Sequence, residues 1–197
     1  KVDERVDTPS SNVRFDKKIL TISIYGHRVY YYRIYQDNKI LVDQTLIKNK
    51  ISLTDIEDII DVALVSHPDI AVIGISTPGI INNGILDLKS EGIDNFPLQQ
   101  HLENKYHIKS LIINNANCAA MGFYESTSLF NSCSLYIQTR PRSYGGIGTV
   151  FRGRLVRGKN GIAGECQFLP QYQKIDVLNT TNEECLSYMA RSIVSTV

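Results

Sequence analysis

The amino-acid sequence predicts an α/β domain with a mixed sheet, and three observations support this prediction. Strand-like and helix-like segments follow one another in the order β-β-β-α-β-α-β-α-β-β. The first three strand-like segments are separated only by short turns, which predicts an antiparallel meander. Residues 70–75 (IAVIGI) form a continuous apolar run, which is typical of a parallel strand buried on both faces.

The first part of the chain contains a polar arm, the meander and a helix. Residues 1–14 include neighbouring Pro, Ser and Asn residues and indicate an arm or linker. Strands are predicted at residues 18–24, 27–35 and 40–46 because these segments are rich in β-branched and aromatic residues. A helix is predicted to begin at a cap on Ser52 or Thr54 and to stop at Pro68.

The second part of the chain alternates further strands and helices. The dipeptide Asn83-Gly84 predicts a hairpin turn between two short strands. A short helix is expected from Pro97 to Lys105, a buried strand at residues 111–113 and a helix at residues 116–124. Strands at residues 134–138 and 148–152 flank a glycine-rich bend, and the chain from Ser187 onward is predicted to be helical.

The composition excludes several classes of protein. The 197-residue chain has a formal net charge of +1, so no global field attracts it to DNA or to an anionic membrane. Its apolar runs are shorter than the eighteen or so residues that a membrane helix needs. Its four cysteines are widely spaced and form no C-x-x-C pair. We therefore expect reduced thiols, a cytoplasmic location and no membrane contact.

Five short segments occur in a recognisable order. They are residues 74–80 (GISTPGI), 95–98 (NFPL), 113–122 (INNANCAAMG), 152–158 (RGRLVRG) and 161–165 (GIAGE). In their order and spacing they resemble the motifs of the ROK family of bacterial sugar kinases and repressors. The resemblance covers roughly residues 18–192.

The resemblance implies an actin-like ATPase fold of the ribonuclease H-like type, with two lobes and a sugar cleft between them. On this basis we assign residues 1–14 to an arm or linker, residues 15–126 to the N-terminal lobe and residues 127–197 to a partial C-terminal lobe. Family members continue past the position of Val197, and many repressors of the family begin with a winged helix-turn-helix that is absent here. We therefore expect a part of a longer protein, and the resemblance also implies a homodimer.

The resemblance places Asn115 where the family has its catalytic base, the Asp of an N-D-A-N motif. An amide cannot accept the proton of an attacking hydroxyl at neutral pH, although it can hydrogen-bond that hydroxyl. General base catalysis contributes about 10²–10⁴-fold to a rate. The sequence therefore predicts no catalytic residue and a chain that is not an enzyme.

The phosphate loops and the zinc motif of the family are also altered. The first phosphate loop corresponds to residues 23–27 (SIYGH) and the second to residues 142–148 (RSYGGIG), where a Tyr side chain would obstruct a nucleotide. Of the family's zinc ligands Cys185 remains, and Phe168 stands in place of a His. A structural zinc needs four ligands. We therefore expect no metal, and we do not expect ATP to bind.

Part of the family's sugar-binding set is retained. Asn114 and Glu165 match positions that bind sugar hydroxyls, and Ser187 stands in place of a Glu. Together with Asn115 and Gly79, these are the candidate ligand-binding residues for a sugar or phosphosugar. The alternative is that Asn114 and Asn115 cap the following helix and that Glu165 is a solvated loop acid.

A basic cluster provides a second candidate site. Arg140 and Arg142 flank the altered phosphate loop, and further basic residues follow as far as Lys159. A solvated hairpin is the ordinary explanation of such a cluster. The alternative is that Arg140 and Arg142 bind the anionic group of a phosphosugar.

The leading interpretation is the effector-sensing domain of a ROK-type transcriptional regulator, inactive as a kinase, that binds a sugar or phosphosugar. The effector would shift the lobes or the dimer between two arrangements, and DNA would be bound only by a helix-turn-helix outside this chain. One alternative is a working, glucokinase-like sugar kinase in which Asp87, Asp94 or Glu165 replaces the base. The other is a dimerisation scaffold without a ligand.

Overall fold

The structure is a computed structural model that describes residues 16–26, 28–127, 131–137 and 145–168, together with Thr181, Glu183, Glu184, Ser187, Ala190 and Arg191. The predicted arm, the two candidate anion-binding residues Arg140 and Arg142 and most of the predicted C-terminal helix lie outside the described residues. In the part that is described, no helix is both long and apolar enough to cross a lipid bilayer.

A five-stranded mixed sheet forms the centre of the described chain. Its strands are β1 (Lys18–Tyr25), β2 (Val29–Gln36), β3 (Lys39–Ile47), β4 (Ile70–Thr77) and β8 (Lys109–Asn114), in the order β3-β2-β1-β4-β8. The strands β1, β2 and β3 pair in antiparallel fashion, whereas β4 is parallel to both β1 and β8. The predicted meander and the predicted parallel strand are both confirmed.

Helix α1 (Leu53–Ser66) packs on this sheet. Of the two caps that the sequence offered, the structure selects Ser52, whose Oγ accepts the backbone N–H of Asp55 at 3.1 Å. The same hydroxyl donates to the carboxylate of Asp55 at 2.6 Å. The helix buries an apolar stripe of Ile56, Ile59, Ile60 and Ala63 against the core strands.

Tyr30 joins the tyrosine-rich strand β2 to the start of α1. Its side chain is fully buried, and its hydroxyl donates to the carbonyl of Lys50 at 3.3 Å. The same hydroxyl accepts the backbone N–H of Ser52 at 3.2 Å. A tyrosine in this strand therefore contributes both core volume and a polar link to the loop before α1.

A small three-stranded sheet follows β4. Its strands are β5 (Ile80–Asn82), β6 (Ile85–Leu88) and β7 (Ile93–Phe96). Asn83 and Gly84 both have positive φ, as a two-residue hairpin turn requires, which confirms the predicted hairpin. The sequence did not predict β7, because Asp94 and Asn95 are poor strand formers. Helix α2 (Leu98–Tyr106) begins directly after Pro97, as predicted.

Helix α3 (Asn115–Thr127) follows β8 without a break and packs on a third, antiparallel sheet. The strands of this sheet are β9 (Ser132–Ile137), β10 (Gly146–Phe151) and β11 (Arg154–Leu155), in the order β11-β10-β9. Gly148 permits the close approach of β10 to α3, since a Cβ atom there would overlap the carbonyl of Ala116. Residues 146–148, interpreted from sequence as the end of a phosphate loop, thus belong to β10.

Candidate functional site

The carboxyl ends of three parallel strands lie at one edge of the main sheet. The strand β1 ends at Tyr25, β4 ends at Thr77 and β8 ends at Asn114. Thr77 and Asn114 are register partners, so the segments that follow β4 and β8 start side by side. Ligands of open α/β sheets bind outside the carboxyl ends of the strands. This edge is therefore the natural place for a site.

Asn114 connects three segments at this edge. Its Oδ1 accepts the backbone N–H of Ala116 at 2.8 Å and that of Asn117 at 3.3 Å, so it caps the first turn of α3. Its Nδ2 donates to the carbonyl of Gly79 at 2.8 Å and lies 3.5 Å from Oε1 of Glu165. The capping role considered from sequence is therefore real, and the same side chain also faces Gly79 and Glu165.

Gly79 is held in a conformation that other residues adopt only with strain. Its φ is +100°, and a Cβ atom at this position would lie 2.8 Å from the carbonyl oxygen of Asp87. The loop after β4 can therefore approach both β6 and Asn114 only because residue 79 has no side chain. In this conformation the carbonyl of Gly79 accepts a hydrogen bond from the side-chain amide of Asn114.

Glu165 reaches the site through a tight turn beside β10. The carbonyl of Gly164 accepts the backbone N–H of Ile147 at 2.8 Å, and Glu165 pairs with Gly146 in an isolated antiparallel bridge. The turn requires glycine at position 164, where φ is +81° and a Cβ atom would overlap the carbonyl of Ile147. The strand β10 therefore determines where Glu165 lies.

The carboxyl of Glu165 is in an unusual electrostatic environment. Burial raises its pKa to about 7, and a hydrogen bond from the side chain of Gln167 opposes this increase in part. The Nε2 atom of Gln167 lies 3.4 Å from Oε2, and the other neighbour is the amide of Asn114. Among the described residues, no Lys or Arg forms an ion pair with this carboxyl. It is therefore a half-buried acid with neutral amide partners.

The remaining predicted site residues occupy different positions. Asn115 is the first residue of α3, directly beside Asn114, and is half-buried. Ser187 is helical and exposed. Arg140 and Arg142 lie outside the described residues, so their role as an anion site stays a prediction.

Sequence reasoning missed two further polar residues at this site. Gln167 hydrogen-bonds the carboxyl of Glu165. It lies two positions after the segment GIAGE, and nothing in the sequence indicated this contact. Asn117 is buried at the start of α3, and its Oδ1 has no hydrogen-bond partner within the described residues. The sequence did offer a reason to consider Asn117, because this residue belongs to the segment INNANCAAMG that carries the resemblance.

The described residues contain no candidate set of ligands for the zinc that the resemblance would imply. Within residues 16–168, apart from their short undescribed gaps, and the few described residues beyond them, no three His, Cys, Asp or Glu side chains form a cluster that could hold a metal ion. Phe168 lies in the turn after Glu165 and has no lone pair to donate to a metal. The expectation that no metal binds stays a prediction, since Cys185 lies outside the described residues.

A cavity of about 190 Å³ lies elsewhere in the molecule. It opens beside Lys17, Ile19 and the turn at Asp37 and Asn38, near the amino end of β1. Because β1, β4 and β8 are parallel, this cavity is at the opposite end of the sheet from Asn114. It is therefore separate from the candidate site.

Comparisons with known proteins agree with this architecture. A model of the ROK family matches residues 31–185. A glucokinase from Halalkalibacterium halodurans is 31% identical over 119 residues, which are 57% of this chain and 36% of the glucokinase. A ROK family protein from Streptococcus pneumoniae, solved in complex with sucrose, is 26% identical with a TM-score of 0.62, covering 77% of this chain and 52% of that chain.

A ROK family transcriptional regulator, a homologue of the E. coli MLC protein, has the same fold. It superimposes with a TM-score of 0.68 at 16% identity, covering 93% of this chain and 52% of the regulator. The chain thus spans about a third of the length of the glucokinase and about half of the length of the two solved proteins. The expected actin-like sugar-kinase fold is confirmed.

The prediction that the chain is not an enzyme is wrong, because the match to a glucokinase points to a kinase. The physical reason is that Asn115 in place of Asp removes only one contribution to catalysis. Phosphoryl transfer depends mainly on positioning and electrostatic stabilisation, and a general base supplies about 10²–10⁴-fold of the rate. The identity of one residue therefore does not decide whether the reaction occurs.

Proposed function

The chain belongs to the ROK family, and on this premise we propose that it carries a sugar-binding site at Asn114, Asn115, Gly79 and Glu165. The observation that carries the proposal is the meeting of the Asn114 amide and the Glu165 carboxyl, 3.5 Å apart at the carboxyl edge of the sheet. An amide and a carboxylate together offer a donor and several acceptors to neighbouring hydroxyls of a sugar. The sucrose bound to the Streptococcus pneumoniae relative supports this class of ligand.

The role that we propose for the bound sugar is that of an effector. A sugar or phosphosugar that binds one arrangement of the longer protein more tightly shifts the population towards that arrangement. A DNA-binding segment outside this chain, or a homodimer contact, would respond to the shift. The fold shared with a ROK transcriptional regulator supports this proposal.

Sugar phosphorylation is the second candidate function, and two observations favour it. The glucokinase of Halalkalibacterium halodurans is 31% identical over the matched segment. In addition, the pKa of Glu165 of about 7 is suited to a general base at neutral pH. Glu165 would then accept the proton of the attacking hydroxyl, a task that the amide of Asn115 cannot perform.

Isothermal titration of the 197-residue chain with sugars, amino sugars and phosphosugars tests the sugar site. Asn114→Ala and Glu165→Ala should each reduce the affinity at least tenfold, because each removes a hydrogen-bonding group from the site. Glu125→Ala is the matched control: this exposed carboxylate lies ten residues after Asn115 on α3, about 15 Å along the helix. Equal affinity in all three variants and the wild type would contradict the proposal.

A second assay separates the two roles of the sugar. Sugar-dependent formation of ADP from Mg-ATP indicates phosphorylation, whereas sugar binding that changes the dimer or the DNA affinity of the longer protein indicates sensing. Two further expectations belong to the proposal. Arg140→Ala and Arg142→Ala should weaken the binding of phosphosugars but not of neutral sugars, and metal analysis should find no stoichiometric zinc.

A further inference from the structure

The strand β3 forms one edge of the main sheet, and in the described part of the chain no strand pairs with its outer side. The strand β8 is the opposite edge, and it continues directly into α3 and the third sheet. The described part of the second lobe is therefore attached at the other side of the sheet from β3. The unpaired N–H and C=O groups of such an edge are a template for pairing with another strand.

The amino end of β3 carries two features that protect an edge strand. Lys39 begins the strand, and the pairing with β2 omits Leu41, which is thus the extra residue of a β-bulge. A lysine and a bulge both discourage pairing between exposed edges. A further strand can therefore add regularly only after this bulge.

The segment 42–47 (VDQTLI) lacks such protection. Its pairing with β2 is regular, and it contains no Lys, Gly or Pro. Its single charge is the carboxylate of Asp43, which lies 3.0 Å from Nε of Arg33 on the neighbouring strand. Val42 and Leu46 pack against the core, whereas the side chain of Ile47 is 79% exposed. The segment thus presents free backbone groups together with apolar side chains.

A second copy of this segment fits beside the first in one register. Residues directly opposite each other in an antiparallel pair lie on the same face, so a two-fold axis must pass through a residue and not between two. With the axis at Gln44, Val42 is opposite Leu46 of the second copy. Asp43 is then opposite Thr45, and symmetry repeats both pairs. Apolar side chains meet apolar side chains, and the carboxylate meets a hydroxyl.

The two neighbouring registers are less favourable. An axis at Asp43 places two carboxylates opposite each other, and like charges at such positions are destabilising. An axis at Thr45 places Asp43 opposite Ile47. It also places Gln44 opposite Leu46, so that polar and apolar side chains meet in four positions. The self-complementarity of charge and apolarity therefore favours a second copy of this chain, paired about Gln44.

We propose that this chain forms a symmetric dimer through segment 42–47 of β3, which joins the two main sheets into one continuous sheet. In strand addition of this kind, main-chain hydrogen bonds supply the affinity and side-chain pairs determine the register. A contact between two short strands is small, so the dimer dissociates on dilution. The inference goes beyond the proposed function and does not rest on the sugar site.

Substitutions at Thr45 test both the surface and the register. Thr45 is exposed, and in the proposed pair it lies opposite Asp43 of the second copy. Thr45→Lys adds an attraction at two positions and should lower the Kd of the dimer roughly threefold to tenfold, whereas Thr45→Glu adds a repulsion and should raise the Kd by a similar factor. Sedimentation velocity at low salt over a range of protein concentrations measures the Kd. Val65→Lys and Val65→Glu, at an 87% exposed position of α1, are the matched controls and should leave it unchanged.

Hydrogen exchange of the wild type locates the contact without any substitution. The backbone N–H groups of segment 42–47 should exchange more slowly in a concentrated sample than in a dilute one. The strand β8 provides the internal control, because it is the opposite edge of the same sheet and should exchange equally in both samples. Slower exchange that is confined to other segments would place the contact elsewhere and overturn the proposal.

The remaining outcomes are equally decisive. A wild type that stays monomeric up to about 1 mM refutes the dimer. A dimer with the same Kd in the wild type and both Thr45 variants uses another surface. Equal weakening by Thr45→Lys and Thr45→Glu excludes the register about Gln44. None of these results bears on sugar binding, which is measured separately by calorimetry, so either proposal can fail while the other stands.

Discussion

Replacing Glu165 by Gln should make the stability of this chain less dependent on pH. Burial raises the pKa of the Glu165 carboxyl from its ordinary value of 4.5 to about 7. Between these two values the folded state retains a proton that the unfolded state has released. This proton therefore makes a stabilising contribution to the free energy of unfolding of the wild type. The contribution should be complete below about pH 4.5, decrease as the pH rises from about 4.5 through about 7, and be absent at higher pH.

The magnitude follows from the difference between the two pKa values. Each pH unit corresponds to about 1.4 kcal/mol, so the full difference is at most about 3 kcal/mol. The carboxyl keeps partial contact with solvent, which reduces the cost of ionisation. We therefore expect Glu165→Gln to be about 1–2 kcal/mol more stable than the wild type at pH 8, and equally stable at pH 4.

Urea denaturation at several pH values between 4 and 8 measures this difference. The midpoint urea concentration should shift, whereas the slope of the free energy of unfolding against urea concentration should stay the same, because the surface exposed on unfolding does not change. Glu125→Gln, at an exposed position of α3, is the control and should follow the wild type. Parallel stability curves for wild type and Glu165→Gln over the whole pH range would refute the assignment of a raised pKa.

Three further predictions concern individual contacts. Tyr30→Phe should lower the free energy of unfolding by about 1 kcal/mol in urea denaturation, since it removes the hydroxyl partner of the partly buried carbonyl of Lys50 and N–H of Ser52; an unchanged midpoint would contradict this. Gly164→Ala should cost at least about 2 kcal/mol, because φ is +81° and the new methyl would overlap a carbonyl of β10, and it should also weaken sugar binding by displacing Glu165. A sugar hydroxyl that donates to the ionised carboxyl lowers its pKa, so sugar affinity should increase from about pH 6 to about pH 8; a decrease measured by calorimetry would exclude this hydrogen bond.

Local patterns were sufficient for most of the elements but not for all of them. The apolar run before Thr77 and the dipeptide Asn83-Gly84 predicted β4 and the hairpin, because each pattern has one dominant local conformation. The strands β7 and β11 were missed. The first contains Asp94 and Asn95 and the second is only two residues long, so both depend on pairing with a neighbouring strand rather than on their own residues.

The sequence predicted which residues belong to the candidate site, but not that they lie next to one another. The resemblance named Asn114, Gly79 and Glu165, but these residues are separated by 35 and 51 positions in the chain. Their meeting depends on the register of β4 and β8 and on the bridge between Glu165 and Gly146. No short-range pattern encodes either of these pairings.

The sequence by itself determined the α/β class, the parallel strand at residues 70–75, the helix that follows Ser52 and the resemblance to the ROK family. Propensity, apolar periodicity and motif order depend on neighbouring residues. Only the tertiary structure decided that Asn114 both caps α3 and faces Glu165, that burial raises the pKa of Glu165 to about 7, and that Phe168 remains exposed. These properties depend on which distant segments exclude water from a side chain. For Glu165, the distant residues that meet it are Asn114 and the bridge partner Gly146.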